Sequence, residues 1–373
     1  MKVKVKIIAI WLVSLICVMG IFAACDPKGE PSADSFDRRA MLQNYADNLI
    51  KPAFANLQAR INALQTAATA FTTTTNAQNL STLQTAWKDA LIALQYTNAY
   101  NFGPAREEGT RKKLTEEMAT FPVSEQKIET NIAANNTSLN DFNRDARGLL
   151  AVEYLIFNFR NDNNAILAQF TGSAPRRDYL LALTRKLKTQ VDEVVTVWNG
   201  SYATEFVNND GIAAGSSTSQ LYSEFLASYE GIKNFKVGLP LGKRSTQSEI
   251  RPDLVEAYYS GLSLEMIGHN LTAVENIWYG QRQDGRAGVG FYDYLNNVEG
   301  GPALITKTEA QLAAIRTAKN ALPANIPLAQ QISENKAPIE AFYIELQKNV
   351  RYFKSDMVSL LGITITFVSG DGD

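Results

Sequence analysis

Apolar residues recur at intervals of three and four positions along much of this chain, and this spacing predicts helices that bury one face. The pattern is clearest in three stretches of the first half of the sequence. They are Phe54, Leu57, Ile61, Leu64, Ala68 and Phe71; Leu80, Leu83, Trp87, Leu91 and Leu94; and Leu180, Leu183, Leu187, Val191, Val194 and Trp198. Helices with one apolar stripe each are typical of a bundle.

The second half of the sequence repeats this pattern. We predict a helix over 221–236, a long helix over Arg251–Tyr279 with Pro252 in its first turn, and a final helix over 336–361. Only the stretch Ile363–Phe367 alternates between apolar and polar residues, as a short strand does. The predicted fold class is therefore all-α, with minor β-structure near the C-terminus.

A break in composition separates the two halves. Residues 199–219 are rich in Gly, Ser, Thr and Asn and lack a sustained apolar stripe. We therefore predict an N-terminal helical bundle over 38–198, a linker over 199–219 and a C-terminal helical bundle over 220–373. The two bundles are expected to pack together around a cleft.

The first 24 residues have the order of a secretory signal peptide: basic residues, then an apolar run, then small residues. Ala23 and Ala24 directly precede Cys25, a junction that resembles the site at which bacterial lipoproteins are cleaved and lipidated. A plain signal peptide with an incidental cysteine is the alternative. We expect lipidation of Cys25, a flexible tether over 25–37, and a location in the cell envelope, on the periplasmic or surface face of the outer membrane.

Composition and charge limit the possible partners. The chain has 373 residues, of which 45% are hydrophobic and 20% charged, so it can bury a core. Its net charge is −2, and removal of the leader with its three lysines makes the remainder more acidic, which argues against nucleic acid as a partner. No second apolar run approaches the ~20 residues of a membrane span, so the lipid would be the only membrane anchor.

Glu153 occupies an unusual position within the stretch 141–159. On a helix it would follow Leu149 and Leu150 by about one turn and precede Ile156 and Phe157 by another, in the middle of an apolar face. A buried carboxylate has to be paired, hydrogen-bonded, metal-bound or protonated, because its uncompensated desolvation costs several kcal/mol. The sequence therefore predicts a partner for Glu153, or its protonation.

The run from Gly148 to Leu155 resembles the signature of the imelysin-like proteins, Gly-x-His-x-x-Glu followed by an aromatic and aliphatic segment. Gly148 and Glu153 match this motif, whereas Leu150 stands where the family has histidine. Three further stretches resemble conserved blocks of the family: Trp87 to Pro104, Phe121 to Val123, and Glu256 to Glu265. The resemblance implies two packed helical domains, with the last block facing the first domain.

Several polar residues in these blocks are candidates for binding a ligand or metal. The candidates are Glu153, Thr97, Asn98, Glu256, Ser260 and Ser263. For Thr97 and Asn98, a local hydrogen bond to the backbone at a helix end is an equally good interpretation. Glu265 and His269, the single histidine, have a spacing that permits a shared metal, although an ordinary helix-surface pair is the simpler explanation.

The resemblance points to two activities, because the family includes a protein described as a metallopeptidase and others associated with iron uptake in the envelope. A catalytic zinc site needs about three protein ligands with histidine prominent, so peptidase activity is not expected without the motif histidine. We expect a lipid-anchored protein that binds iron, another divalent metal, a chelate or a small ligand in the cleft. The alternative is a peptidase-like scaffold that contacts other envelope proteins.

Overall fold

The computed structural model describes residues 36–106, 112–139, 143–157, 162–282 and 285–366. These residues are mainly helical, which confirms the predicted all-α class. The chain from Arg38 onward forms one compact unit, and the division into two bundles at 199–219 stays a prediction. The predicted leader, Cys25 and nearly all of the predicted tether lie outside the described residues.

Three long helices form the centre of the first half. In chain order the helices are α1 (Arg38–Asn44), α2 (Lys51–Thr73), α3 (Ala77–Gln95), α4 (Leu114–Ala119), α5 (Glu125–Ala133), α6 (Leu149–Ile156), α7 (Asn163–Gly172) and α8 (Ala174–Trp198). Helix α2 packs lengthwise against both α3 and α8, and the three apolar stripes predicted from the sequence are buried between them. Asn76 caps α3 by accepting a hydrogen bond from the Asn79 backbone N–H.

The second half is built around α11. Its helices are α9 (Tyr202–Asn208), α10 (Ser217–Gly231), α11 (Ser263–Tyr279), α12 (Phe291–Asn296), α13 (Gly301–Asn320), α14 (Leu328–Asn335), α15 (Ala337–Arg351) and α16 (Met357–Leu361). Helix α11 contacts α10 and α12 on one side and α3 on the other, so it joins the halves. Helix α9 lies within the predicted linker, and its Phe206 ring stacks on Phe102 with ring centroids 5.5 Å apart.

Wide π-helical turns interrupt the helical path at three places. They span Tyr45–Ile50, Ile232–Gly238 and Tyr352–Asp356. A π-helical turn shifts the side chains that follow it to a new angle around the axis, and such turns are frequent at functional sites. The turn Ile232–Gly238 places Lys236 in the interior, where it takes part in the site described below.

The predicted long helix over Arg251–Tyr279 is wrong in its first third. Pro252–Leu254 forms a 3₁₀ turn, a loop follows, and α11 begins only at Ser263. The loop contains Ala257 at φ 52° and Gly261 at φ 73°, left-handed positions that an α-helix cannot contain. Glu256 and Ser260 therefore lie on a loop, which we call the 255–262 loop.

Two other boundaries also differ from the prediction. The helix around Glu153 is confined to α6, and the final helix is interrupted by the third π-helical turn. Residues 363–366 form no strand, because the Thr364 N–H donates to the Ile212 carbonyl at 2.9 Å and the Thr366 N–H donates to Ser223 Oγ at 3.1 Å. Phe367 lies outside the described residues. Within the ranges given above, no helix is long and apolar enough to cross a membrane.

Candidate functional site

Helix α6 is held in place at its first residues. Gly148 precedes it with φ 87°, and a Cβ atom built there would lie 2.5 Å from the Met118 carbonyl oxygen, so only glycine fits. The buried Trp87 on α3 donates its indole N–H to the Leu149 carbonyl oxygen at 2.7 Å. Trp87 is thus a core aromatic residue that anchors the start of the helix carrying Glu153.

Glu153 is buried, as the sequence predicts, with only 1% of its surface exposed. Its carboxylate accepts a hydrogen bond from the backbone N–H of Ser260, 2.7 Å away on the 255–262 loop. Burial raises the pKa of Glu153 to about 7, against a lowering effect of the hydrogen bonds from Ser260. Among the described residues, no Lys, Arg or His forms an ion pair with Glu153. Near neutral pH, the Glu153 carboxyl is therefore protonated in a part of the molecules and ionised in the rest.

Glu256, two residues after the 3₁₀ turn, does have a cationic partner. Its side chain lies 2.9 Å from Lys236 Nζ, and both side chains are less than a tenth exposed. The Ser263 hydroxyl donates to the Glu256 backbone carbonyl, which ties the end of the 255–262 loop to the first turn of α11. Ser260 and Ser263 thus shape the loop, and Glu256 forms a buried ion pair.

A chain of hydrogen bonds leads from this ion pair to Asn98. Lys236 Nζ donates to Gln95 Oε1 at 2.5 Å, so this atom of Gln95 must be the oxygen. Asn98 Nδ2 donates to the same oxygen at 3.0 Å and to Asn270 Oδ1 at 3.3 Å. These two acceptors fix the orientation of the Asn98 amide. Its Oδ1 is buried and accepts no hydrogen bond from any described residue.

Asn98 lines a cavity of about 570 Å³ between the two halves of the chain, which we call the large cleft. Its wall from the first half includes Asn101, Thr115 and Phe121, and its wall from the second half comes from α10, the following π-helical turn and α11. This volume falls in the range of small-molecule sites. Buried polar groups of fixed orientation beside such a cavity are suited to selecting a ligand.

The remaining predicted residues lie apart from this cleft or face elsewhere. The Thr97 hydroxyl donates a hydrogen bond to the Leu94 carbonyl at 2.9 Å. This is a local side-chain to backbone bond at a helix end, one of the two interpretations given for Thr97. His269 Nδ1 lies 3.1 Å from the Tyr96 hydroxyl, and its Nε2 is 3.9 Å from Glu265, which itself pairs with Lys88 at 3.0 Å. Burial lowers the pKa of His269. These contacts describe a surface cluster with no third donor.

Neither candidate donor set fits a metal ion. Leu150, at the position of the motif histidine, is buried and offers no donor, so Glu153 stands alone on α6. Over the described ranges, no group of three or more His, Cys, Asp and Glu side chains is arranged to hold a metal.

The sequence analysis missed the basic and amide residues of the cleft. Lys236, Gln95 and Asn270 were assigned to ordinary helices, since nothing in an apolar stripe reveals that a π-helical turn will rotate Lys236 inward. The buried ion pair of Arg147 and Glu117, 2.7 Å apart, was also missed, although Arg147 directly precedes the Gly148 of the motif. The only available signal was the presence of these polar residues beside the recognised blocks.

The described residues define a class of all-helical proteins with a polar cleft between the two halves of the chain. In this class a buried carboxyl lies on a helix that a glycine precedes. The sequence profile of peptidase family M75, imelysin, matches residues 50–348. The chain therefore belongs to the imelysin family. It is 25% identical over 316 residues to iron-regulated protein A of Synechococcus elongatus, and the match covers 82% of this chain and 80% of that protein.

Two solved structures have a similar fold. The structure of an iron-regulated protein A precursor from Parabacteroides distasonis has a TM-score of 0.71 at 15% identity and covers 89% of this chain and 97% of its own. The structure of an imelysin-like protein from Psychrobacter arcticum has a TM-score of 0.68 at 18% identity, and it covers 89% of this chain and 97% of its own. At these identities the comparisons establish the shared fold.

Proposed function

We propose that this protein is a lipid-anchored binding protein of the cell envelope that holds a small anionic ligand, such as an iron chelate, in the large cleft. The observation that carries this proposal is the hydrogen-bond chain from Lys236 through Gln95 to Asn98, which ends beside a cavity of about 570 Å³. A buried acceptor without a partner costs free energy, which a ligand that donates a hydrogen bond would recover.

The charges around the large cleft favour an anionic ligand. Four basic side chains line it: Lys113, Arg144, Lys236 and Arg244. Of the three glutamates in the wall, Glu224 pairs with Lys113 at 2.5 Å and Glu230 pairs with Lys354 at 3.1 Å. Lys113 and Lys236 are thus paired with Glu224 and Glu256, and the wall further contains two arginines against one more glutamate, Glu116. Arginine is well suited to carboxylate groups because it can donate two parallel hydrogen bonds.

The rim of the large cleft also offers an aromatic surface. Phe235 is 49% exposed, and the guanidinium carbon of Arg244 lies 4.9 Å from the centre of its ring. An exposed phenylalanine beside an arginine supplies both apolar contact and charge to a ligand that carries carboxylates on a hydrocarbon body. This combination suits a carboxylate chelator better than a bare ion.

A chelate is preferred to a free metal ion because the described residues offer no group of three or more donors for the ion. In a chelate the small molecule supplies the ligands of the iron, and the protein recognises the charged exterior. The relative in Synechococcus carries the name iron-regulated protein A, which supports an iron-related role for this family. The envelope location rests on the signal-like leader and on Cys25.

Titration of the purified protein with ferric citrate by isothermal titration calorimetry tests the proposal. We expect saturable binding and an increase in the melting temperature, because a ligand that binds only the folded state stabilises it. Arg144→Ala should weaken binding about tenfold, the order expected for one charge-assisted contact. Arg39→Ala is the matched control, since Arg39 does not line the cleft and its loss changes the net charge equally.

Two further measurements separate the alternatives. Citrate without iron distinguishes recognition of the chelate from recognition of any carboxylate. At concentrations near 1 mM, even a weak site with a binding free energy of about 4 kcal/mol would be detected. If neither ferric citrate nor citrate binds under these conditions, the scaffold alternative is favoured. Mass spectrometry of the mature N-terminus tests the anchor, and a mature chain that starts elsewhere than at lipidated Cys25 would refute it.

A further inference from the structure

A second cavity, of about 210 Å³, lies next to Glu153, and we call it the small cavity. Phe121 lines both this cavity and the large cleft. The walls of the small cavity combine three carboxylates with three aromatic rings: Glu125, Glu153, Asp253, Phe121, Tyr258 and Tyr259. None of the described residues that line it is basic. Its charge is thus opposite to that of the large cleft.

The tyrosine rings of the small cavity are held at steep angles to one another. The Tyr259 ring lies 5.3 Å from Tyr258 at 76° and 5.3 Å from Tyr154 at 67°, measured between ring centroids and ring planes. The Tyr259 hydroxyl donates to Glu125 at 2.6 Å, and the Tyr154 hydroxyl donates to Glu129 at 2.8 Å. The rings of Tyr258 and Tyr259 line the cavity, and the negative face of an aromatic ring attracts cations.

Glu153 provides an independent indication of a cation. It lines the small cavity and is 99% buried, yet it receives a backbone N–H from Ser260 and no positive charge from the described residues. By contrast, Asp253 at the same cavity pairs with Arg251 at 2.6 Å, and the nearby Glu256 pairs with Lys236. Glu153 is therefore a fully buried carboxyl of this cavity that forms no ion pair with a described residue.

The walls favour an organic cation over a metal ion. The carboxylates of the small cavity are not arranged to hold a metal with other described donors, and the remaining walls, including Leu150 and Val255, are apolar. The volume is also below the range of drug-sized ligands, so the occupant must be small. An ion with a positive nitrogen and a hydrocarbon surface matches both kinds of wall.

We propose that the small cavity binds a small alkylammonium ion, with its nitrogen held between the Glu153 carboxylate and the rings of Tyr258 and Tyr259. The hydrocarbon part of the ion contacts Leu150 and Val255. This site is separate from the proposed anion site in the large cleft, and each can fail without the other.

Choline and its uncharged carbon analogue, 3,3-dimethylbutan-1-ol, are the probes that isolate the charge. Calorimetric titration of the full chain should show choline binding, with the analogue at least about tenfold weaker because it lacks the attraction to the rings and the carboxylate. Tyr258→Leu and Glu153→Gln should each weaken choline binding about tenfold. Glu334→Gln, at an exposed position on α14 away from both cavities, removes the same charge, should leave choline binding unchanged and serves as the control.

Several outcomes would overturn this assignment. Equal affinity for choline and the analogue would show that only apolar contact is recognised, and no choline binding at about 10 mM would exclude a site of useful strength. Displacement of choline by equimolar Mn²⁺ would instead identify an inorganic cation site. Should Glu153→Gln disturb the fold, as judged by circular dichroism, the half-buried Tyr258→Leu variant still decides the question.

Discussion

Replacement of Glu153 by glutamine should make the protein more stable at pH 8 and leave it unchanged at pH 4.5. Glutamine keeps the shape of the side chain, and its carbonyl oxygen can still accept the hydrogen bond from the Ser260 N–H, which is 2.7 Å from Glu153 Oε1. What the substitution removes is the ionisable proton of a group that is 1% exposed. The effect on stability must therefore depend on pH.

The sign and size of the effect follow from the raised pKa. Burial moves the pKa of Glu153 from 4.5 in the unfolded chain to about 7 in the folded one, so between these values the native state binds the extra proton. The free energy of unfolding therefore falls as pH rises from 4.5 to 7, by at most about 1.4 kcal/mol per pH unit and about 3 kcal/mol in total. Below pH 4.5 both states are protonated, and above pH 7 the full penalty of the buried charge is present.

Urea unfolding followed by tryptophan fluorescence at pH 4.5, 5.5, 6.5 and 8 measures this dependence. The difference in unfolding free energy between Glu153→Gln and the parent should grow from near zero to about 3 kcal/mol in favour of the variant. Taking the difference cancels the titration of other groups. Glu334→Gln, at an exposed position on α14, is the matched control and should give a constant difference. A constant difference for Glu153→Gln as well would refute the argument.

Three further substitutions test the surroundings of α6 by urea unfolding and metal analysis. Gly148→Ala should destabilise by at least about 2 kcal/mol, because φ 87° is strained for alanine and its Cβ would meet the Met118 carbonyl; wild-type stability would contradict this. Arg147→Met should lower the free energy of unfolding by about 3–5 kcal/mol, because Glu117 is then buried without its ion-pair partner. The double variant with Glu117→Leu should recover most of this stability, and no recovery would mean that the ion pair is not the cause. The Leu150→His variant should bind no stoichiometric zinc, because it adds only one ligand to Glu153 and a zinc site needs three or four protein ligands. One equivalent of bound zinc would show that a third ligand exists.

The helices could be predicted because burial of one face leaves a regular trace in the sequence. The stripes of α2, α3 and α8 are almost completely buried in the structure at the positions where the spacing places them. Helix interruptions leave a weaker trace. Ala257 adopts φ 52° although alanine is a good helix former, so local propensity pointed to a continuous helix where tertiary contacts enforce a loop.

The candidate site was only partly predictable, because tertiary contacts and helix interruptions leave little trace in the sequence. The sequence singled out Glu153, Asn98 and Glu256, since polar residues inside recognised blocks are visible without a structure. It could not identify the partners of Glu153, because they include the backbone N–H of Ser260, a group that every residue except proline carries. Lys236 reaches Glu256 through a π-helical turn, which no spacing rule anticipates.

The residue at position 150 determines which chemistry remains available to Glu153. A histidine there would lie one turn before the carboxyl on α6 and could share a metal or a proton with it. Leu150 instead adds an apolar surface to the small cavity, and the Glu153 carboxylate accepts hydrogen bonds from the 255–262 loop. A buried negative charge that faces aromatic walls and forms no ion pair with a described residue is matched by an organic cation, because such an ion offers both a positive charge and an apolar surface. We therefore expect histidine at position 150 to favour a metal ion and the present leucine to favour the proposed ammonium ion.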